Sequence, residues 1–247
     1  MAISHSVKPL PLGGAVVWFA LSAIPFWLGL YLVLPLLVDS GTGIAAALCV
    51  AFLVPLSLLL LFSILVGRRE SKGKGWTELR KRWRLESIKL SDLGWALLLL
   101  VVSLAGYLGL AGTAEWLQQN AGLVPPEALD LVQTPTTFFG FELLGNWWVL
   151  ALHFGILLLN VLGEELWFRG ILFPRQEAEH GKKAWLVHGL CYHAFHMFYP
   201  WGVLRLLPES LMYGWIAQRS GSSWPSVISH FLFNGLALIA TISGILG

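Results

Sequence analysis

The feature that most constrains this chain is the recurrence of apolar runs long enough to cross a bilayer. A spanning helix needs roughly 17–25 such residues. Runs of this kind occur at about 13–38, 43–67, 93–117, 146–173, 183–200, 204–219 and 225–246. The sixth is the shortest and opens on Arg205, Pro208 and Glu209. Lipid offers no partner to backbone polar groups, so a span must satisfy its own or borrow from neighbours. The expected fold is therefore all-α, a polytopic transmembrane helical bundle of about seven spans. Pro25, Pro35 and Pro55 fall inside the first two runs, where neighbouring groups can take up the freed carbonyls. A charged fraction of 12% and a mean hydropathy of +0.70 agree, since soluble chains carry about twice that charge.

The charge is unevenly spread. Residues 68–89 alone hold nine Lys or Arg. With seven spans and that loop inside, only Arg205 of the 16 Lys and Arg residues falls at the outer face. The positive-inside rule then puts the N-terminus and loop 68–92 in the cytoplasm and the C-terminus outside. Leu79, Trp83 and Leu85, set among basic residues, suggest a short amphipathic helix lying on an anionic leaflet. A net charge of +2 is too small to imply nucleic acid. The connection at about 118–145, with Pro125, Pro126 and Pro135, reads as a long outer loop. Trp116, Trp147, Trp148, Trp185, Trp201 and Trp224 sit near span ends, as interfacial belts do. The 13–38 run is longer than a signal-peptide core and is preceded only by Lys8, so it reads as a retained span. Cys49 and Cys191 lie in apolar segments, give no disulfide framework and match no metal spacing. Each reads as a small buried hydrophobe. One integrated membrane domain is expected, with N-terminal spans and the basic loop in 1–145 and a polar-centred helical core in 146–247.

Three polar clusters interrupt the later runs. Ionisable groups in lipid are costly and face a protein interior or a water-filled cavity. The first cluster is Glu164, Glu165 and Arg169; Glu165 and Arg169 are four apart, on one helix face, in the favourable order for an ion pair. Glu164 points about 100° away from Glu165, which leaves one carboxylate structural and the other free for chemistry. The second cluster is Tyr192, His193 and His196. In the third, His230 and Asn234 share a face through their four-residue spacing. At 1.5 Å per residue, Glu164 lies roughly 16 Å beyond Arg175 and His196 roughly 20 Å beyond Lys183. His230 and Asn234 fall within roughly 8–14 Å of the same boundary. The clusters can converge in the inner half of the bilayer, His196 deepest.

Two adjacent glutamates with an arginine, then an aromatic residue four before a histidine, then a histidine four before an asparagine, each on its own membrane helix, resemble the CPBP family. That family takes in CAAX prenyl endopeptidases and bacterial Abi or bacteriocin-processing homologues. The resemblance covers about residues 146–240, and Tyr192 stands where the family usually has Phe; its buried hydroxyl would need a partner. The resemblance implies an intramembrane glutamic endopeptidase. Glu164 would be the general base that activates water, and His196 would hold that water. His230 and Asn234 would stabilise the tetrahedral oxyanion, while Glu165 and Arg169 brace the helix. A desolvated carboxylate is a stronger base, and imidazole and carboxamide N–H groups suit an oxyanion in a dry site. Tyr192 and His193 read as structural support, and His153, His180 and His188 as structural or solvated.

No cofactor is expected on this reading. The rival chemistry is a zinc site of Glu164, His196 and His230 with water in the fourth position, although no His-Glu-x-x-His helix is present. Two rivals come from other classes. A catalytically silent scaffold or immunity protein would pair with a partner membrane protein, but has no need of all four candidate residues. A proton-coupled transporter would be expected to show repeated, discontinuous helices. The expected partners are membrane lipid and a membrane-anchored or lipidated protein or peptide substrate.

Overall fold

A computed structural model describes residues 7–247; the first six residues of the polar lead lie outside them. Twelve α-helices dominate the described residues. They are α1 (Leu12–Leu28), α2 (Leu34–Asp39), α3 (Ile44–Glu70), α4 (Trp76–Arg82), α5 (Leu90–Gly109) and α6 (Gly112–Ala121), followed by α7 (Trp147–Glu164), α8 (Phe173–His180), α9 (Ala184–Phe195), α10 (Leu207–Ser220), α11 (Trp224–Gly235) and α12 (Ala237–Leu246). One small antiparallel hairpin pairs β1 (Thr137–Phe138) with β2 (Phe141–Glu142).

Among the described residues, five helical stretches are long and apolar enough to cross a membrane: Leu12–Asp39, Ile44–Glu70, Leu90–Gly109, Trp147–Phe198 and Trp224–Leu246. The expected third span is shorter than 93–117, because the helix stops at Gly109 and α6 follows as a separate piece. Within Trp147–Phe198 the chain reverses at Gly181 (φ +53°). A 2.6 Å hydrogen bond joins Gln176 Oε1 to His188 Nδ1 across the reversal, folding α9 back along α8. Helices α9 and α10 have 12 and 14 residues, or about 18–21 Å at 1.5 Å per residue. That is short of a ~30 Å hydrocarbon core, so seven full-length spans are not reproduced.

The two ends of the bundle differ. At one end Leu10 N donates to Arg175 O, and Ser223 N donates to Arg84 O, each at 3.0 Å. The N-terminal segment, the 68–89 loop and the starts of α9 and α11 therefore share that end. At the other end Gly145 N donates to Ile245 O at 3.0 Å, joining the 118–145 connection to the C-terminal helix.

Small residues set the closest helix approaches, as expected where lipid supplies no hydrophobic drive between helices. A Cβ on Gly163 would lie 3.0 Å from Leu56 O, so α7 sits directly on α3. On α10, a Cβ on Gly214 would lie 2.4 Å from Trp185 O of α9. Trp201, expected in an interfacial belt, is instead 5% exposed and packs edge-on against Tyr199.

The basic loop departs most from its expectation. Leu79, Trp83 and Leu85 are all buried in the protein core rather than turned to a leaflet. The Trp83 ring fills the space that side chains on Gly67 and Gly170 would need. The cause lies in the opposing surface: two glycines, Gly67 and Gly170, leave room that the Trp83 indole fills.

Gly214→Ala should force α9 and α10 apart and lower the unfolding temperature in detergent, by the equivalent of about 1–3 kcal/mol of overpacking. Gly155→Ala on α7, where a Cβ meets nothing within 4 Å, should leave it unchanged or slightly raised. A thermal melt of both variants beside wild type checks this.

Candidate active site

The chain passes from α7 into a widened π-helical segment, Glu165–Leu172, and then into α8. Pro174 explains the change. It has no N–H to offer the Gly170 carbonyl four residues back, and its ring crowds that carbonyl. A second π segment, Gly29–Val33, precedes Pro35 in the same way. Carbonyls released by a broken ladder need other donors. Arg82, from the basic loop, supplies them, reaching Gly170 O with one terminal nitrogen and Ile171 O with the other, the second at 3.1 Å. The same guanidinium pairs with Glu70, which also pairs with Arg175.

Glu164 ends α7 and Glu165 begins the π segment; they are 5% and 0% exposed. Their partners differ in kind. Glu165 Oε1 accepts from His230 Nδ1 at 2.8 Å and lies 3.3 Å from Arg169 Nη1. The expected ion pair is present, but the shorter contact goes to an imidazole from α11. The Arg169 guanidinium is sandwiched between the rings of Tyr192 and Tyr213, its Cζ 3.8 and 4.0 Å from their centroids. Two desolvated π faces replace the hydrogen bonds that its nitrogens lack there.

Glu164 accepts its hydrogen bonds from neutral donors. Asn160 Nδ2 donates to its Oε1 and the Tyr192 hydroxyl to its Oε2, each at 2.7 Å. Tyr192 thus finds the partner its buried hydroxyl needs, and does more than pack. Asn160 Oδ1 in turn accepts from Asn234 Nδ2 at 2.7 Å. One chain of hydrogen bonds therefore runs Asn234–Asn160–Glu164–Tyr192 and links α11, α7 and α9.

His196 closes the same cluster. Its ring lies edge-on to that of Tyr192, centroids 4.7 Å apart, and its Nδ1 is 2.8 Å from Tyr192 O. A carbonyl only accepts, so Nδ1 carries the proton and the neutral ring presents Nε2 as an acceptor. His193, expected as support, makes no hydrogen bond through its buried Nδ1 and stands outside this network. His188 is tied to Gln176, and His153 bonds Thr241 at 2.8 Å while stacking on Phe138. Both are structural.

Sequence reasoning missed Asn160, Tyr213 and Arg82. Asn160 was within reach, since it precedes Glu164 by four residues on the same face. Tyr213 and Arg82 carry no local signal, because their partners lie on other helices. For the zinc alternative, each Glu164 oxygen accepts one hydrogen bond, and Nδ1 of His196 and of His230 is taken up by Tyr192 O and Glu165. Among the described residues, no three His, Cys, Asp or Glu side chains gather as a ligand set.

Residues 146–236 match a family model described as type II CAAX prenyl endopeptidase, Rce1-like. The match covers the stretch that holds all three polar clusters and leaves α1 to α6 outside it. No curated protein matches the chain, and no solved structure does.

Arg169→Met should leave Glu165 as a buried carboxylate with one imidazole partner, and destabilise the fold by about 3–5 kcal/mol. Adding Glu165→Gln to that variant should recover much of the loss, because an uncharged pair needs no counter-ion. Thermal unfolding of the single and double variants in detergent distinguishes this from simple loss of packing.

Proposed function

We propose that this chain is an intramembrane endopeptidase in which Glu164 activates the water that attacks a peptide bond. The observation that carries this reading is the meeting of three sequence-distant motifs at one buried carboxylate through 2.7 Å hydrogen bonds. Each Glu164 oxygen accepts one such bond and keeps a lone pair for water. His196 Nε2, an acceptor in the neutral ring, can accept a hydrogen bond from the second water O–H and fix the direction of the remaining lone pair.

The chemistry then follows in two steps. Glu164 takes a proton as the water oxygen bonds to the scissile carbonyl carbon, and the carbonyl oxygen becomes an oxyanion. Asn234 spends one amide N–H on Asn160 and keeps its second for that oxyanion. His230 gives Nδ1–H to Glu165 and, as imidazolium, offers Nε2–H. Glu165 and Arg169 act as positioning residues, since they reach the reacting atoms only through His230 and Tyr192. Collapse of the tetrahedral intermediate breaks the C–N bond, and protonated Glu164 returns its proton to the leaving amine. Every proton is carried by residues of this chain, so the proposed reaction is metal-free.

The substrate is a membrane-associated protein or peptide. A prenylated CAAX protein fits the family description; a bacteriocin leader or a membrane-anchored regulator offers the same kind of bond. The end of the bundle that gathers Lys8, the 68–89 loop, Arg175, Lys182 and Lys183 is cytoplasmic in this reading, by the positive-inside rule.

Wild type purified in detergent should cleave at least one member of a panel of membrane-tethered peptides that includes prenylated CAAX sequences. Mass spectrometry identifies the bond. Glu164→Gln should lower turnover by about 10²–10⁴-fold, and Asn234→Ala by about 10²–10³-fold, without loss of fold. A zinc chelator should change nothing. Chelator-sensitive cleavage would move the water onto a metal, and full cellular function of both variants would leave only a scaffold.

A further inference from the structure

Away from these residues, the basic end of the bundle contains a cavity of about 740 Å³. It lies between the start of α1, the end of α3, the turn before α4 and the far side of the π segment. Its floor is apolar, formed by Trp18, Val66, Trp167, Ile171 and Leu172. Trp18 and Trp167 meet edge to face with centroids 5.7 Å apart, and Trp167 is fixed by its N–H bond to Ser22 Oγ at 2.9 Å. Phe62, 48% exposed and 6.3 Å from the Trp167 ring, continues that floor sideways onto the outer surface of α3.

The rim is cationic and not self-neutralised. Glu70 and Glu78 are its acids. Glu70 is held by both Arg82 and Arg175, and Glu78 pairs with Lys81 at 2.8 Å. That leaves Lys8, Arg69, Lys72 and Lys74 around the opening, none with an acidic partner among the described residues. The Nε of Arg175, also at the cavity, is buried with no acceptor.

We propose that this cavity binds an anionic phospholipid. The phosphate lies among Lys8, Arg69, Lys72 and Lys74, and one acyl chain runs over Trp18 and Trp167 toward Phe62. A free anion would use the rim and leave a floor of two indoles and three aliphatic side chains uncovered. The exposed Phe62 ring beside Trp167 suits a ligand whose acyl chain extends onto the outer surface of α3. Each basic side chain near an anionic headgroup contributes roughly fivefold in affinity, on the order of a hundredfold for three.

The full chain in detergent, titrated with phosphatidylglycerol or with phosphatidylcholine of the same acyl chains, tests this by native mass spectrometry. Wild type should retain phosphatidylglycerol preferentially. The exposed triple variant Arg69→Gln, Lys72→Gln, Lys74→Gln should lose that preference on the order of a hundredfold, whereas Lys182→Gln, Lys183→Gln should keep it. Trp18→Ala should weaken the lipid but not a water-soluble glycerophosphate. Equal retention of the two lipids by wild type overturns the proposal, as does unchanged binding by the triple variant. Displacement of the lipid by inorganic phosphate at similar concentration would also overturn it, and assign the rim to a free anion.

Discussion

Two neighbouring carboxylates, Glu164 and Glu165, are almost wholly withdrawn from solvent inside an apolar bundle. Burying even one ion costs several kcal/mol after relaxation unless charge and hydrogen bonds compensate it. The two are compensated differently. Glu165 receives full or potential positive charge from Arg169 and His230, while Glu164 receives the dipoles of Asn160 and Tyr192. Partial charges orient an anion without cancelling it. Of the pair, Glu164 is therefore the carboxylate whose hydrogen-bond donors are all neutral. Tyr192 serves both: its ring face holds the Arg169 guanidinium and its hydroxyl holds Glu164. A phenylalanine there could do only the first.

The positions of these groups depend on a backbone irregularity and on what repairs it. Pro174 breaks the hydrogen-bond ladder below the glutamates, the turn widens over Glu165–Leu172, and Arg82 accepts responsibility for two of the carbonyls. Arg82 can reach them because Trp83, next in sequence, lies against Gly170. A loop rich in charge thus becomes part of the frame of the site. The N-terminal spans contribute in the same sense. Helix α3 backs both α7 and the π segment, α1 backs α9, and α5 backs α10 and α11.

Legibility in the sequence followed the range of the interaction. Helical spans follow from apolar length, and the Glu165–Arg169 and His230–Asn234 faces follow from four-residue spacing, because both are local. The joining of the three clusters was readable only as a matching of depths. Its actual atoms, the Tyr192 hydroxyl on Glu164 and the Asn160–Asn234 amide pair, join residues 28 and 74 positions apart. The apolar face of α4 was legible as a face but not as to its partner. A stripe of Leu79 and Trp83 looks the same whether it covers lipid or two glycines on α3 and the π segment.

The basic residues make the same point about charge. Counting them along the chain yields an orientation, because the rule depends only on where the cations fall. It cannot separate cations that hold the fold from cations left over, since that division depends on which acids fold against them. Arg82, Arg84, Arg175 and Lys81 each find a carboxylate. Lys8, Arg69, Lys72 and Lys74 find none among the described residues, yet they gather around one apolar floor. Surface cations gain little from pairing, so an unpaired lysine by itself means nothing. Four around a hollow lined by two indoles present both halves of an amphiphile's complement, and that floor includes Trp167, Ile171 and Leu172 of the segment that begins at Glu165.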